Sequence, residues 1–190
     1  MIKRRIFRSV VAGTAGILVL PFMAVAANAA TAAPSELTVP DTAPTWATPA
    51  NAAGTPAATD KISIRVALQL RNAGSAERAA LAVSDPASRN YGQYLSAAQF
   101  NARYAPTEAS VARVKNFLAG NGLTVTGQAA GNRWVSATGT VAQLDKAFHT
   151  TLRTYTYRGD QRRAPSSDVK VPSTVAADVS TVTGLTQGRP

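Results

Sequence analysis

Ten residues constrain this chain more than any others. Ile62, Ile64, Val66, Leu68 and Leu70 alternate with Ser63, Arg65, Ala67, Gln69 and Arg71. Strict apolar–polar alternation has the period of a β-strand, whose side chains point to opposite faces in turn, so one face is buried and the other open. Such a strand needs other strands beside it and helices over its apolar side. Asn72-Ala73-Gly74 turns the chain, and Ser75 is placed to cap a helix carrying Leu81 and Val83. That helix must stop near Asp85-Pro86, because proline disfavours a helical residue before it. Pro106-Thr107-Glu108 opens a longer helix with Thr107 as cap and an acid in its first turn. Val111, Val114, Phe117 and Leu118 share one face of it, and Asn121-Gly122 closes it. Val125 lies in a second strand, Ala130-Gly131-Asn132 is a hairpin turn, and Trp134 to Ala137 is the returning strand. Thr138-Gly139-Thr140 leads into a helix with Val141, Leu144, Ala147 and Phe148 on one face. Leu152 to Tyr157 is the last alternating strand, ahead of Arg158-Gly159-Asp160.

The order is βαββαβ, which predicts an α+β, ferredoxin-like antiparallel sheet with helices on one face, an extra short helix and a C-terminal arm. The open face is expected to carry Arg65, Gln69, Trp134, Tyr155 and Tyr157. Large aromatics on a face that no helix covers suit a partner-docking surface. Strand propensity enriches Tyr and Trp as well.

The extra helix belongs to the stretch from Ser84 to Tyr104. Ser84-Asp85-Pro86 and Asn90-Tyr91-Gly92 are turn signals, and Ser96 with Gln99 makes a capping box. Tyr91, Tyr94, Leu95, Phe100 and Tyr104 give it enough apolar mass to pack down. Residue types alone allow two readings, a recognition loop or a loop tied to its own core, and favour the second.

Outside residues 61–160 the chain changes character. Lys3-Arg4-Arg5, an apolar run from Val10 to Val25, and Ala27-Asn28-Ala29 make a secretory signal over residues 1–29. Pro21 breaks the run, which falls short of the roughly 20 unbroken apolar residues of a membrane anchor. Arg4-Arg5-Ile6-Phe7 fits either Sec or twin-arginine export. Residues 30–60 are Ala-, Thr- and Pro-rich and read as an extended or disordered linker, with Trp46 as the lone large side chain. Residues 161–190 read as a connecting arm. Arg158, Arg162 and Arg163 stand at its start, and Val175, Val179, Val182 and Leu185 pack part of it back.

Composition removes several kinds of chemistry. The 190 residues contain no Cys and one His, His149, so thiol chemistry, disulfides and paired-histidine metal sites are excluded. No Ser stands in Gly-x-Ser-x-Gly. Ala137-Thr138-Gly139-Thr140 lacks the Lys of a phosphate loop. No cofactor, metal or catalytic residue is therefore assigned. The net charge of +10 falls to +6 without Lys3, Arg4, Arg5 and Arg8, and an excess of that size suits a solvated surface or an acidic partner. Nucleic acid is not that partner, because no strand carries the Lys/Arg-Gly-aromatic pattern that stacks bases. Arg158-Gly159-Asp160 matches an adhesion tripeptide but is common by chance.

One ordered set of residues is more specific than any of these. Ser84-Asp85-Pro86-Ala87-Ser88, Tyr91-Gly92-Gln93-Tyr94-Leu95, Phe100 and Tyr104-Ala105-Pro106 resemble the activation domain of the sedolisin/kumamolisin-type serine-carboxyl peptidases. The resemblance continues through Val111, Val114, Leu118, Gly122, Gly139-Thr140-Val141, Phe148, Tyr155, Val171-Pro172, Val179 and Gly184-Leu185. Arg89, Ser96 and Phe117 depart from the pattern, standing where Pro, Thr and Trp are usual. The resemblance implies a ferredoxin-like propeptide, a zymogen segment that helps a peptidase fold and blocks it until acid releases it. Asp85, Pro86, Tyr91, Gly92, Leu95, Phe100, Pro106, Gly139, Phe148, Gly184 and Leu185 would then be structural. The peptidase's own residues, a Glu/Asp pair on a helix and a Ser in a Gly-Thr-Ser segment, would lie elsewhere. The chain would be a secreted peptidase inhibitor, not an enzyme, whose partner is a sedolisin-type catalytic domain in cis or in trans, with the arm that carries Arg158, Arg162 and Arg163 reaching toward its cleft. Acid release would follow from carboxylates in the interface, with Asp85, Asp160, Asp168 and Asp178 as candidates on this side. The alternative is a secreted basic module that binds an acidic cell-wall polymer.

Overall fold

In a computed structural model that describes residues 35–188, the alternating run is an interior strand of a four-stranded antiparallel sheet. The expected export signal, residues 1–29, lies outside the described residues. In chain order the elements are strands β1 (Glu36–Thr38), β2 (Ala52–Gly54) and β3 (Lys61–Leu68), then helices α1 (Ala73–Ser84), α2 (Ala97–Tyr104) and α3 (Glu108–Gly120). Strands β4 (Thr124–Gln128) and β5 (Trp134–Thr140), helix α4 (Val141–Phe148) and strands β6 (Leu152–Tyr157), β7 (Asp160–Pro165) and β8 (Lys170–Pro172) follow. A one-turn helix α5 (Ser173–Ala176) precedes strand β9 (Val179–Thr183).

The main sheet runs β4-β5-β3-β9, the ferredoxin-like order. Ile62, Ile64, Val66 and Leu68 of β3 are buried while Lys61, Ser63 and Arg65 are exposed, as alternation dictates. Helices α3 and α4 lie on the apolar side. Thr107 Oγ1 accepts from the Ser110 amide at 3.0 Å to start α3, which buries Val111, Val114 and Leu118. A capping box of Thr140 and Gln143 starts α4, and its Val141, Leu144, Ala147 and Phe148 are buried. Phe117 meets Phe148 edge-on at 5.8 Å, which joins the two helices. Each such buried side chain contributes about 1.5–3 kcal/mol.

Four expectations need correction. First, Leu152–Tyr157 forms β6 as expected, but β6 belongs to a second sheet of order β2-β6-β7. The fourth strand of the main sheet is β9, from the supposed connecting arm. Period-two alternation marks a strand without naming its partner. The true fourth strand hides because Val179 and Val182 are both buried although three residues apart. A shift in the β3–β9 register absorbs the extra residue: Ala67 faces Thr181, whereas Leu68 faces Val179.

Second, the chain from Ser35 to Asp60 is no free linker. β1 pairs with β8, and β2 with β6. Trp46 stacks on Tyr157 at 4.9 Å and meets Tyr155 edge-on at 6.0 Å. The Asp168 carboxylate accepts from the amides of Thr42 and Ala43 at 2.9 and 2.8 Å. Backbone pairing, one aromatic anchor and one carboxylate thus hold a segment that has little apolar surface of its own.

Third, α1 starts at Ala73 behind Asn72, whose φ is 52°, and Ser75 caps nothing. No residue of α1 is buried. Fourth, the loop before α2 is pinned yet not packed down. Tyr91 and Tyr94 are 55% and 72% exposed, and only Tyr104 at the far end of α2 is buried.

Gly184 turns the chain out of β9 with φ +94°, and a Cβ there would lie 2.5 Å from the Ser63 carbonyl oxygen. Gly159, at φ +84° in the β6–β7 turn, has open space around it. Both Ala substitutions carry the left-handed cost of about 1–2 kcal/mol, and Gly184→Ala adds a clash with backbone. Urea unfolding should rank Gly184→Ala as the more destabilising of the two, by about 2 kcal/mol or more. Equal midpoints would show that β9 does not need this close approach.

Candidate functional site

The face of the main sheet opposite α3 and α4 is built from alternate residues of its four strands. Arg65 on β3 stands between Thr183 of β9 and Ser136 of β5, its register partners on either side. In the next row Ala67 separates Thr181 from Trp134. In the row beyond Arg65, Ser63 and Thr138 share a hydroxyl–hydroxyl hydrogen bond of 3.0 Å. A shallow hollow at the centre is lined by Ser63, Arg65, Thr126, Ser136, Thr183 and Gly184. The Arg65 guanidinium carbon lies 5.8 Å from the centre of the Trp134 ring, and Trp134 is 42% exposed. One cation, one indole and a field of hydroxyls make a surface that donates and accepts hydrogen bonds over an apolar anchor. That chemistry suits a protein partner. It supplies no nucleophile with a base. Among the described residues no cluster of three or more His, Asp or Glu is placed to hold a metal ion.

The structure brings together only part of the set expected on this face. Arg65 and Trp134 meet there. Gln69 lies just past the end of β3, where its amide donates to the Asp178 carbonyl at 2.8 Å. Tyr155 is 2% exposed inside the second sheet. Tyr157 is in that sheet too, stacked on Trp46, with the guanidinium carbons of Arg158 and Arg162 at 5.3 and 5.8 Å from its ring centre. The expected arm of Arg158, Arg162 and Arg163 is a hairpin. Arg158 and Gly159 adopt positive φ in its turn, as a tight hairpin requires. Arg162 pairs with Asp160 at 2.9 Å. Arg163 donates to the carbonyls of Leu185 and Gly184 at 3.0 and 3.2 Å, which ties the end of β9 to β7. The hydroxyls of Ser63 and Ser136 were readable in the alternation of their strands. Thr183 was not, because its strand was not recognised.

The motif residues divide by role. The Asp85 Oδ1 accepts from the Ala87 amide at 2.9 Å and shapes the turn that Pro86 opens. Gly92 has φ +71°, and its amide donates to the Val83 carbonyl. Pro106 is buried and Leu95 and Phe100 partly so. Gly139 lies against Leu123, with room for little more than hydrogen. Phe148 and Leu185 are in the core. His149 ends α4 in the left-handed conformation, its Nδ1 2.8 Å from Glu36 Oε1 on β1.

Two of the four carboxylates considered for acid release serve inside the fold. Asp178, in the turn before β9, binds Arg113 of α3 through both oxygens at 2.6 and 2.8 Å. That charge-assisted pair holds its pKa below the usual carboxylate value. The Asp168 carboxyl is also held low, mainly by the Ala43 amide. Asp145 runs the other way, pushed up by burial although it accepts from the Leu152 amide.

Comparison with known proteins gives a consistent result. Residues 49–187 match the family model described as "Pro-kumamolisin, activation domain". The chain is 32% identical over 129 residues to sedolisin of Pseudomonas sp. (strain 101), covering 68% of this chain and 22% of that protein. It is 29% identical over 124 residues to xanthomonalisin of Xanthomonas sp. (strain T-22), covering 65% and 15%. Aorsin of Aspergillus oryzae is 27% identical over 126 residues, covering 65% and 19%. The chain thus spans about a fifth of the length of the curated relatives it matches.

The pH dependence of stability follows from the carboxylates. A carboxyl whose folded pKa is depressed stabilises the fold above its unfolded pKa, and the contribution is lost as pH falls through the folded value. Asp168 and Asp178 therefore make the fold weaker below about pH 4, the unfolded value. Asp145, with a raised pKa, contributes oppositely. The urea midpoint should fall with pH in that range. Asp178→Asn should lower it at neutral pH and flatten the acid slope. An unchanged slope would mean that Asp178 is not part of the acid response.

Proposed function

We propose that this chain, which belongs to the pro-kumamolisin activation-domain family, is a secreted propeptide domain that assists the folding of a sedolisin-type serine peptidase and inhibits it until acid releases it. The observation that carries this reading is the uncovered sheet face bearing Arg65, Trp134 and the hydroxyls of Ser63, Ser136 and Thr183. Pre-formed on a rigid sheet, the face presents the same groups to a folding chain and to a folded one, so it serves both as template and as plug. The indole supplies an apolar anchor, Arg65 a partner for a carboxylate, and the hydroxyls fix register. The chain carries out no hydrolysis itself, and the catalytic domain acts in cis or in trans. Export is assigned to residues 1–29, the signal segment read from the sequence.

Acid release then has a source within the propeptide. Asp178 ties β9 to α3, and Asp168 ties the Thr42–Ala43 turn to the chain before β8. Protonating Asp178 loosens β9 of the docking sheet, and protonating Asp168 weakens the surrounding fold, so affinity falls with the stability of the inhibitor itself. Asp85 and Asp160 shape local turns.

A second reading, a module that binds an acidic cell-wall polymer, is favoured by the basic excess, which is +6 once Lys3, Arg4, Arg5 and Arg8 of the signal segment are left out. Salt dependence separates the two, because polymer binding through scattered charge is screened by salt.

The purified chain should inhibit a sedolisin-type peptidase near neutral pH and release it in acid. Arg65→Ala and Trp134→Ala should each weaken inhibition roughly tenfold or more with little change in melting temperature. The reading fails if the chain binds no such peptidase at any pH while binding an acidic polymer in a salt-sensitive way.

A further inference from the structure

Among the described residues, five large apolar side chains are exposed, and three of them, Leu81, Tyr91 and Tyr94, lie on α1 and the loop after it. The loop holding the two tyrosines is not loose. Ser88 donates to the Asp85 carbonyl, Tyr91 to Ser88, Gly92 to Val83 and Gln93 to Asn90, all at 2.9–3.1 Å. The Gln93 side chain donates to the Arg89 carbonyl at 3.0 Å. The backbone is fixed, yet Tyr94 is 72% exposed. Ordering a loop costs conformational entropy, which burying its aromatics normally offsets. Among the described residues that offset is missing for Tyr91 and Tyr94.

Between this loop and α1 runs an apolar groove of about 200 Å³, with Ala79, Val83, Leu95 and Phe100 along it and Tyr94 as one wall. Arg103 lines the adjoining hollow with Val83 and Leu95. Arg78 and Arg89 are exposed on the same two segments, which hold Glu77 and Asp85 as their only acids. The patch also leads to the sheet face. Arg133, the residue before Trp134, places its guanidinium carbon 5.7 Å from the Phe100 ring centre.

We propose that this groove is a second docking seat for the peptidase catalytic domain, taking an apolar side chain of that partner flanked by carboxylates. The inference rests on the propeptide reading above and names the part of the partner that reading leaves open. An exposed tyrosine pair on a pinned loop is a pre-organised anchor of low entropy cost. Arg103, which lines the adjoining hollow, supplies a cation for a flanking carboxylate. Continuity through Arg133 and Trp134 lets one partner cover the sheet face and the groove together.

The test measures inhibition of a sedolisin-type peptidase by the full chain carrying Tyr91→Ala and Tyr94→Ala together, with Arg103→Glu as a separate variant. Leu37→Ala, an exposed apolar residue outside the groove, is the control. The tyrosine pair is expected to weaken inhibition roughly tenfold or more at unchanged melting temperature. Arg103→Glu is expected to weaken it and to reduce its salt dependence, and Leu37→Ala to do neither. If the tyrosine variant inhibits like the parent while Trp134→Ala does not, the second seat is overturned and the propeptide reading stands. If the parent chain does not bind the peptidase at all, both are overturned. Concentration-dependent self-association that Tyr94→Ala abolishes would assign the groove to a second copy of this chain and overturn the proposal.

Discussion

The pairing of β9 with β3 is the contact on which the rest of the structure depends. Arg65 and Thr183 face each other across 118 residues of chain, so the pairing closes a loop that contains most of the other elements. β3 is then flanked on both edges, and Ile62, Ile64, Val66 and Leu68 are sealed under α3 and α4. Three locks converge on β9. Arg113 with Asp178 fixes its start, Gly184 packs its end against the Ser63 carbonyl, and Arg163 holds the carbonyls beyond it. A pairing of such long range carries a large loop-closure entropy, and the anchors at both ends of β9 offset it.

The segment ahead of β3 solves a different problem. Residues 35–60 hold few large apolar groups, so they cannot order themselves by burial. They are ordered by what they borrow. β8 and β6 supply strand edges, Tyr157 a ring for Trp46 to stack on, and Asp168 a carboxylate for two otherwise free amides. The second sheet and this segment are thus mutually dependent. Tyr155 owes its burial in part to Trp46.

Among the described residues, two surfaces stand without partners. One is the hydroxyl-rich sheet face around Arg65 and Trp134; the other is the groove between α1 and the loop that bears Tyr91 and Tyr94. They differ in chemistry, the first mostly polar with one aromatic anchor and the second apolar with Arg103 beside it. Arg133 lies between them. Asp168 and Asp178, the two carboxylates whose pKa the fold holds low, are on neither surface and belong to the frame that holds them.

By itself the sequence determined the pieces whose physics is local. The alternation from Ile62 to Leu68, the capping box at Ser96, the helix start at Thr140, the Thr107 cap and the hairpin turn at Gly131 each depend on residues a few positions apart, and each formed where expected. The ferredoxin-like class was legible for the same reason. Only the tertiary structure decided which strand completes the sheet, because Leu152–Tyr157 alternates as well as any strand while β9 hides its pattern behind a register shift. That single choice moved Tyr155 and Tyr157 off the open face, brought Thr183 onto it, and turned the arm into core. Local periodicity records how a chain bends and which side faces inward. Pairing across more than a hundred residues is settled by burial, charge and close approach, which no short window of sequence contains.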